Sequence, residues 1–158
     1  MRLKAKGAGL KYVEDYRTDQ LIDDISLLTS GYKKIEGDFW EHVGECNTEQ
    51  SGRDTFHHVP KNLIPDVFCN EYLLDGGEQF AARVKCYDDE HITLKDIGVE
   101  RLMHQQAWGV KPKNIYQGMA LDALLDTSIE LVILTGPAGC GKTLLALASA
   151  LEMVIEKG

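Results

Sequence analysis

Hydrophobic positions divide the chain into stretches of different period. Between Asp19 and Leu28 the apolar residues Leu21, Ile22, Ile25 and Leu28 fall on one helical face, and Gly7 and Gly9 interrupt any longer helix before them. From Ser30 to about Ile97 the pattern changes to short clusters of β-branched and aromatic residues. These are Tyr32 to Ile35, Phe39 to Val43, Thr55 to Val59, Val67 to Leu74, Phe80 to Tyr87 and His91 to Leu94. Such clusters predict short strands in a small antiparallel sheet or partly closed barrel. Asp75-Gly76-Gly77-Glu78 reads as a hairpin turn, Asp88-Asp89-Glu90 as a second turn, and the polar piece Glu45 to Asp54 as a loop.

Beyond Ile97 the pattern becomes helical again. Asp96 to Gln106 reads as a helical or irregular bridge, and Gly109 and Pro112 make Trp108 to Asn114 a loop. Asn114 is placed to cap a helix from Ile115 to about Leu125, which Asp126-Thr127-Ser128 ends. An apolar run follows, Leu131-Val132-Ile133-Leu134, with the continuity expected of a strand buried on both faces. A second apolar segment, Leu144 to Ile155, reads as a helix.

Between that strand and that helix lies Gly136-Pro137-Ala138-Gly139-Cys140-Gly141-Lys142-Thr143. Strand, G-x-x-x-x-G-K-T, helix is the P-loop arrangement that cradles nucleotide phosphates. From average residue usage, the fixed positions coincide by chance in roughly 4 of 100,000 windows. The residue types explain the chemistry. Gly136, Gly139 and Gly141 let the backbone turn tightly and approach a ligand without a Cβ in the way. Successive N–H groups form an anion nest, and the helix that follows adds its positive end. Lys142 supplies a cation for the β- and γ-phosphates of ATP, and the Thr143 hydroxyl is the metal ligand expected for Mg²⁺. Pro137, Ala138 and Cys140 occupy the variable positions.

Hydrolysis needs more than this loop: an acidic residue after another strand to hold Mg²⁺, and a group to position water. No catalytic residue is assigned. Leu21-Ile22-Asp23-Asp24 superficially imitates such an acidic strand end, but its helical period marks it as a solvated helix face. The 158 residues therefore read as the opening part of an α/β P-loop NTPase domain preceded by a small β-rich segment.

Composition narrows the partners. A net charge of −8 argues against a dominant nucleic-acid surface. Within the β-rich segment Lys33, Lys34, Arg83 and Lys85 could meet phosphates, and Tyr32, Phe39, Trp40, Phe80 and Tyr87 could stack bases. Against that stand Glu36, Asp38, Glu41, Glu45 and the Asp88-Asp89-Glu90 turn, and the readiness of aromatics in strands to fill a core. No run reaches the length of a bilayer span, and no signal peptide is visible, so a cytoplasmic place is expected. Cys46, Cys69, Cys86 and Cys140 form no C-x-x-C pair, which suits free thiols, and with His57 and His58 they match no usual zinc spacing.

Trp108-Gly109-Val110-Lys111-Pro112-Lys113-Asn114, then Gln117, Ala120, Leu124-Leu125-Asp126 and the segment from Leu131 through Glu152 resemble the opening of PhoH-like ATPases. The resemblance implies ATP and Mg²⁺ as cofactors, and a contact of Gln117 with adenine. For full-length members it also implies ATP hydrolysis coupled to RNA unwinding and cleavage, and homo-oligomers. Residues 1–29 resemble the tail of a PIN nuclease domain. On that reading 1–29 is a helical PIN remnant, 30–97 a β-rich intermediate segment and 98–158 the start of the ATPase domain, all from a longer ancestral reading frame. The metal-holding carboxylates of such a nuclease would lie upstream, so Asp15, Asp19, Asp23 and Asp24 are not assigned as ligands. Two other readings stay open: a non-enzymatic RNA- or protein-interaction module built on 30–97, and an inert truncated product.

Overall fold

The computed structural model describes residues 29–156. The expected helix at Asp19 to Leu28, the acids at positions 15–24 and the PIN-like stretch lie outside the described residues. The chain divides into the units Met1–Ser30 and Gly31–Gly158, and every element below belongs to the second.

Six strands form one open mixed sheet: β1 (Tyr32–Ile35), β2 (Asn47–Ser51), β3 (Asp54–Pro60), β4 (Tyr72–Asp75), β5 (Ala81–Tyr87) and β6 (His91–Asp96). Their order is β1-β4-β5-β6-β3-β2. All neighbours are antiparallel except β1 and β4, which run parallel with Tyr32 opposite Tyr72. The β4–β5 and β5–β6 turns fall where the Gly and Asp clusters predict them. In the first, the Asp75 carboxylate accepts from the N–H groups of Gln79 and Phe80. In the second, the Asp88 carboxylate accepts from those of Glu90 and His91.

Several expectations are corrected. Phe39 to Val43 is a helix, α1 (Phe39–Val43), not a strand. Asp38 caps it by accepting from the N–H groups of Trp40 and Glu41, so a local cap overrides the β preference of Phe, Trp and Val. The expected loop at Glu45 to Asp54 contains β2, an edge strand with all five residues exposed. A strand with no buried face carries no hydrophobic alternation by which to recognise it. The expected strand Val67 to Leu74 is shortened to β4, because Asp66 and Asn70 adopt positive φ and break the extended run.

The sheet is covered on both faces. On one, α1 lays Phe39 and Val43 against Ile35, Leu73, Val84, Ile92 and Leu94, and the Phe39 and Phe80 rings stack 3.7 Å apart. On the other, α2 (Val99–His104) and α3 (Ile115–Leu125) bury Leu102, Ile115 and Met119 against Tyr72, Leu74 and Ala81. A third cluster, Ala107, Leu121, Leu145 and Ala148, seats α4 (Lys142–Leu151) beside α3. Glu152–Glu156 continues α4 in a wider π winding.

Helices α2 and α3 approach closely at Gly118, where a Cβ would stand 2.7 Å from the Leu102 carbonyl oxygen. Backbone cannot yield as a flexible side chain would. Gly118→Ala should therefore cost about 1–3 kcal/mol of unfolding free energy by overpacking, read as a lower urea midpoint with unchanged slope.

Leu131 to Leu134 is not a strand. No ladder partner among the described residues pairs with it, and Leu131 and Ile133 are 76% and 68% exposed. Leu144, Leu147, Val154 and Ile155 are exposed as well.

Candidate functional site

The G-x-x-x-x-G-K-T segment forms the turn expected of it. Gly136, Gly139 and Gly141 all have positive φ. Gly141 is decisive: at φ 90° and ψ 8° it is the left-handed residue immediately before α4, and its carbonyl accepts the first helical bond, from Leu145 N–H at 2.9 Å. A side chain there would strain the backbone and stand 3.4 Å from Gln117 Nε2. At Gly136, φ is 146° and a Cβ would press on Cys140 Sγ at 3.2 Å. The segment is thus a close backbone turn feeding the N-terminus of α4, whose first N–H groups have no acceptor within the helix.

Lys142 lies across this turn. Its Nζ donates to the carbonyls of Gly136 and Pro137, both at 2.7 Å, and lies 3.5 Å from Cys140 Sγ. The ammonium is therefore centred over the loop, and it must exchange carbonyl oxygens for phosphate oxygens to serve an anion. Thr143 is exposed in the first turn of α4, Pro137 and Ala138 are exposed, and Cys140 is a half-buried free thiol.

Gln117 is brought to the loop from α3. Asn114 caps that helix as predicted, its carboxamide oxygen accepting from Gln117 N–H at 2.9 Å. The Gln117 side chain accepts from Lys113 N–H at 2.7 Å and donates to the Cys140 carbonyl at 3.0 Å. The structure therefore places every residue assigned to the loop, and Gln117, in one neighbourhood.

What holds α3 in place is a buried charge cluster on the sheet. Arg83 on β5 has a side chain only 4% exposed, and it is ion-paired with Asp126 and, at 3.4 Å, with Asp122. Tyr72 on β4 donates to Asp122 at 2.6 Å. Burial first, then the Asp122 carboxylate, pushes the Tyr72 phenol well above its ordinary range, so it remains a donor. Asp126 is shifted the other way. Burial alone would raise it, but hydrogen bonds from Ser128 and Arg83 outweigh that and hold its carboxyl well below the usual range. Asp126 also accepts from Ser128 N–H and Oγ–H, fixing the turn from which the chain leaves α3 toward the loop. Sequence reasoning missed this cluster. The available signal was Asp122 and Asp126, four apart on one helical face, with one arginine inside the otherwise apolar start of β5. At the far end of α4, Glu152 accepts from Trp108 N–H at 2.9 Å, joining it to the turn before α3.

The same geometry bears on the residues of the β-rich segment that could meet phosphates or stack bases. Arg83 is buried in its ion pairs, and Phe39 and Phe80 belong to the core, so none of the three is presented to a ligand. Lys34 is paired with Glu78, and Lys33 donates to the Pro65 carbonyl. Trp40 and Tyr87 are 43% and 42% exposed. Among the described residues no cluster of three or more His, Cys, Asp or Glu is arranged to hold a metal, and no helix is long and apolar enough to cross a membrane.

Residues 109–158 match the family described as PhoH-like protein. The chain is similar to protein PhoH2 of Bacillus subtilis, 34% identical over 171 aligned residues that cover 100% of this chain and 34% of that protein. Protein PhoH2 of Thermobispora bispora is 30% identical over 160 residues, 99% of this chain and 32% of its own. Protein PhoH2 of Mycolicibacterium smegmatis is 43% identical over 53 residues, 34% of this chain and 12% of its own. The chain spans about a third of the length of the first two relatives. No solved structure matches it.

Proposed function

The chain belongs to the PhoH-like family, and from that premise we propose that residues 136–143 bind the triphosphate of ATP together with Mg²⁺. The observation that carries this reading is the loop itself: a left-handed Gly141 opening α4, with Lys142 Nζ already centred over the turn. Lys142 exchanges its bonds to the Gly136 and Pro137 carbonyls for bonds to the β- and γ-phosphates. The Thr143 hydroxyl is a hard oxygen donor exposed in the first turn of α4, which suits a magnesium ion that keeps most of its waters. The ion, when bound, neutralises charge on the phosphates. By the resemblance Gln117 contacts the adenine, and after its bonds to Lys113 and Cys140 its amide retains one hydrogen and one lone pair for a base edge.

Binding is the function assigned to these residues. The hydrolysis, the action on RNA and the homo-oligomers that the resemblance implies for full-length members call for groups beyond the loop. A cytoplasmic place is proposed with this reading, since all four cysteines are free thiols. The test is an equilibrium titration with a fluorescent ATP analogue in Mg²⁺. Saturable binding that unlabelled ATP displaces is expected, and a signal that neither saturates nor is displaced contradicts the proposal.

A further inference from the structure

Gln117 does more in this structure than stand near a base. Its amide is oriented by the network around it. Lys113 N–H is a donor and occupies Oε1, so the end facing the Cys140 carbonyl must be the Nε2 donor. The Cys140 carbonyl and the Gly141 N–H belong to one planar peptide unit, which is trans like every other described peptide bond. In a trans unit the two groups point in opposite directions. Holding the Cys140 carbonyl toward α3 therefore turns the Gly141 N–H away from α3. The contact is close on both sides of that unit, since a Cβ on Gly141 would lie 3.4 Å from Gln117 Nε2.

The post that carries Gln117 is itself rigid. Asn114 caps its backbone, Gly118 is wedged on the Leu102 carbonyl, and the last turn of α3 is tied to the sheet through Asp122 and Asp126. We propose that Gln117 is a positioning residue for the phosphate loop: its amide sets the Cys140–Gly141 peptide plane so that the Gly141 N–H is presented to a phosphate. This inference rests on the reading of 136–143 as a phosphate site. It assigns Gln117 a role that any ligand with the same phosphates feels, whatever its base.

The test uses Gln117→Met, which keeps length and helix preference but has neither a donor for the Cys140 carbonyl nor an amide oxygen for Lys113 N–H. The ligands are ATP, GTP and inorganic tripolyphosphate, titrated by calorimetry into the 158-residue chain with Mg²⁺. Loss of the bond to the Cys140 carbonyl, which orders the nest, should weaken tripolyphosphate about fivefold to tenfold and each nucleotide by at least as much. Tripolyphosphate, which has no base, isolates the effect on the loop from any contact with adenine, and the ligand-free melting temperature should fall by no more than about 4 °C. In ligand-free amide spectra the Gly141 resonance should move more than that of Thr135. If Gln117→Met binds tripolyphosphate as tightly as wild type and only ATP weakens, the amide reads the base and the proposal is overturned. If the wild-type chain binds neither ATP nor tripolyphosphate, the phosphate-site reading itself fails, and this inference with it.

Discussion

Replacing Lys142 with alanine should lower the affinity for Mg²⁺–ATP by roughly two orders of magnitude. The ammonium is the one side-chain cation centred on the loop among the described residues, and it has two carbonyl partners within 2.7 Å to exchange for phosphate oxygens. Charge-assisted hydrogen bonds contribute about 1.5–3 kcal/mol each, and about 1.4 kcal/mol is tenfold in affinity. The backbone donors of the nest and the end of α4 remain in the variant, so residual weak binding is expected. The fold should barely respond. Alanine is the best helix former, and the lost bonds lie on an exposed turn, so melting should shift by no more than about 2 °C. A titration that gives wild type and Lys142→Ala the same affinity would remove the lysine from the site.

Arg83→Met should have the largest effect on stability. The guanidinium is almost fully buried between Asp122 and Asp126, with the Tyr72 phenol on the same carboxylate. Removing it leaves two acids facing each other across one turn of α3 with no cation. Breaking a buried pair from one side costs roughly 3–5 kcal/mol, or roughly 6–20 °C of melting temperature for a chain of this size. The effect has a predictable pH dependence. The Asp126 carboxyl is held below its unfolded value, so its contribution is complete above the unfolded carboxylate pKa of about 4. It is lost as pH falls through the folded value. The gap between wild type and Arg83→Met should therefore be full at neutral pH and narrow below about pH 4. Melting curves at pH 7 and pH 3 check this, and an equal gap at both would show that the ion pair is not what the arginine supplies.

The parts of the fold legible in the sequence are those whose causes are local. Asn114 three residues before Gln117 announced α3, because a cap and its target lie within one turn. Asp75-Gly76-Gly77-Glu78 announced a hairpin for the same reason. The close backbone turn over residues 136–141 was legible because its conformation demands glycine at stated offsets, and the structure has positive φ at all three. Elements that depend on distant partners were not legible. The segment β2, polar on every residue, became a strand only by pairing with β3, whereas at residues 39–43 a local cause, the Asp38 cap, competed with the β preference of the aromatic cluster and won. Leu131 to Leu134 shows the converse, an apolar run with strand composition and no ladder among the described residues. Arg83 looked like a surface cation, and only the approach of α3, some forty residues later, makes it an internal one.

The proposed meeting place of a nucleoside triphosphate with this chain is residues 136–143. This placement is tested most directly by following backbone amide resonances as Mg²⁺–ATP is added. The largest shifts are predicted at Gly139, Gly141, Lys142 and Thr143, with a smaller one at Gln117. Saturating shifts confined to the sheet, or none along 136–143 at millimolar ATP, would contradict it.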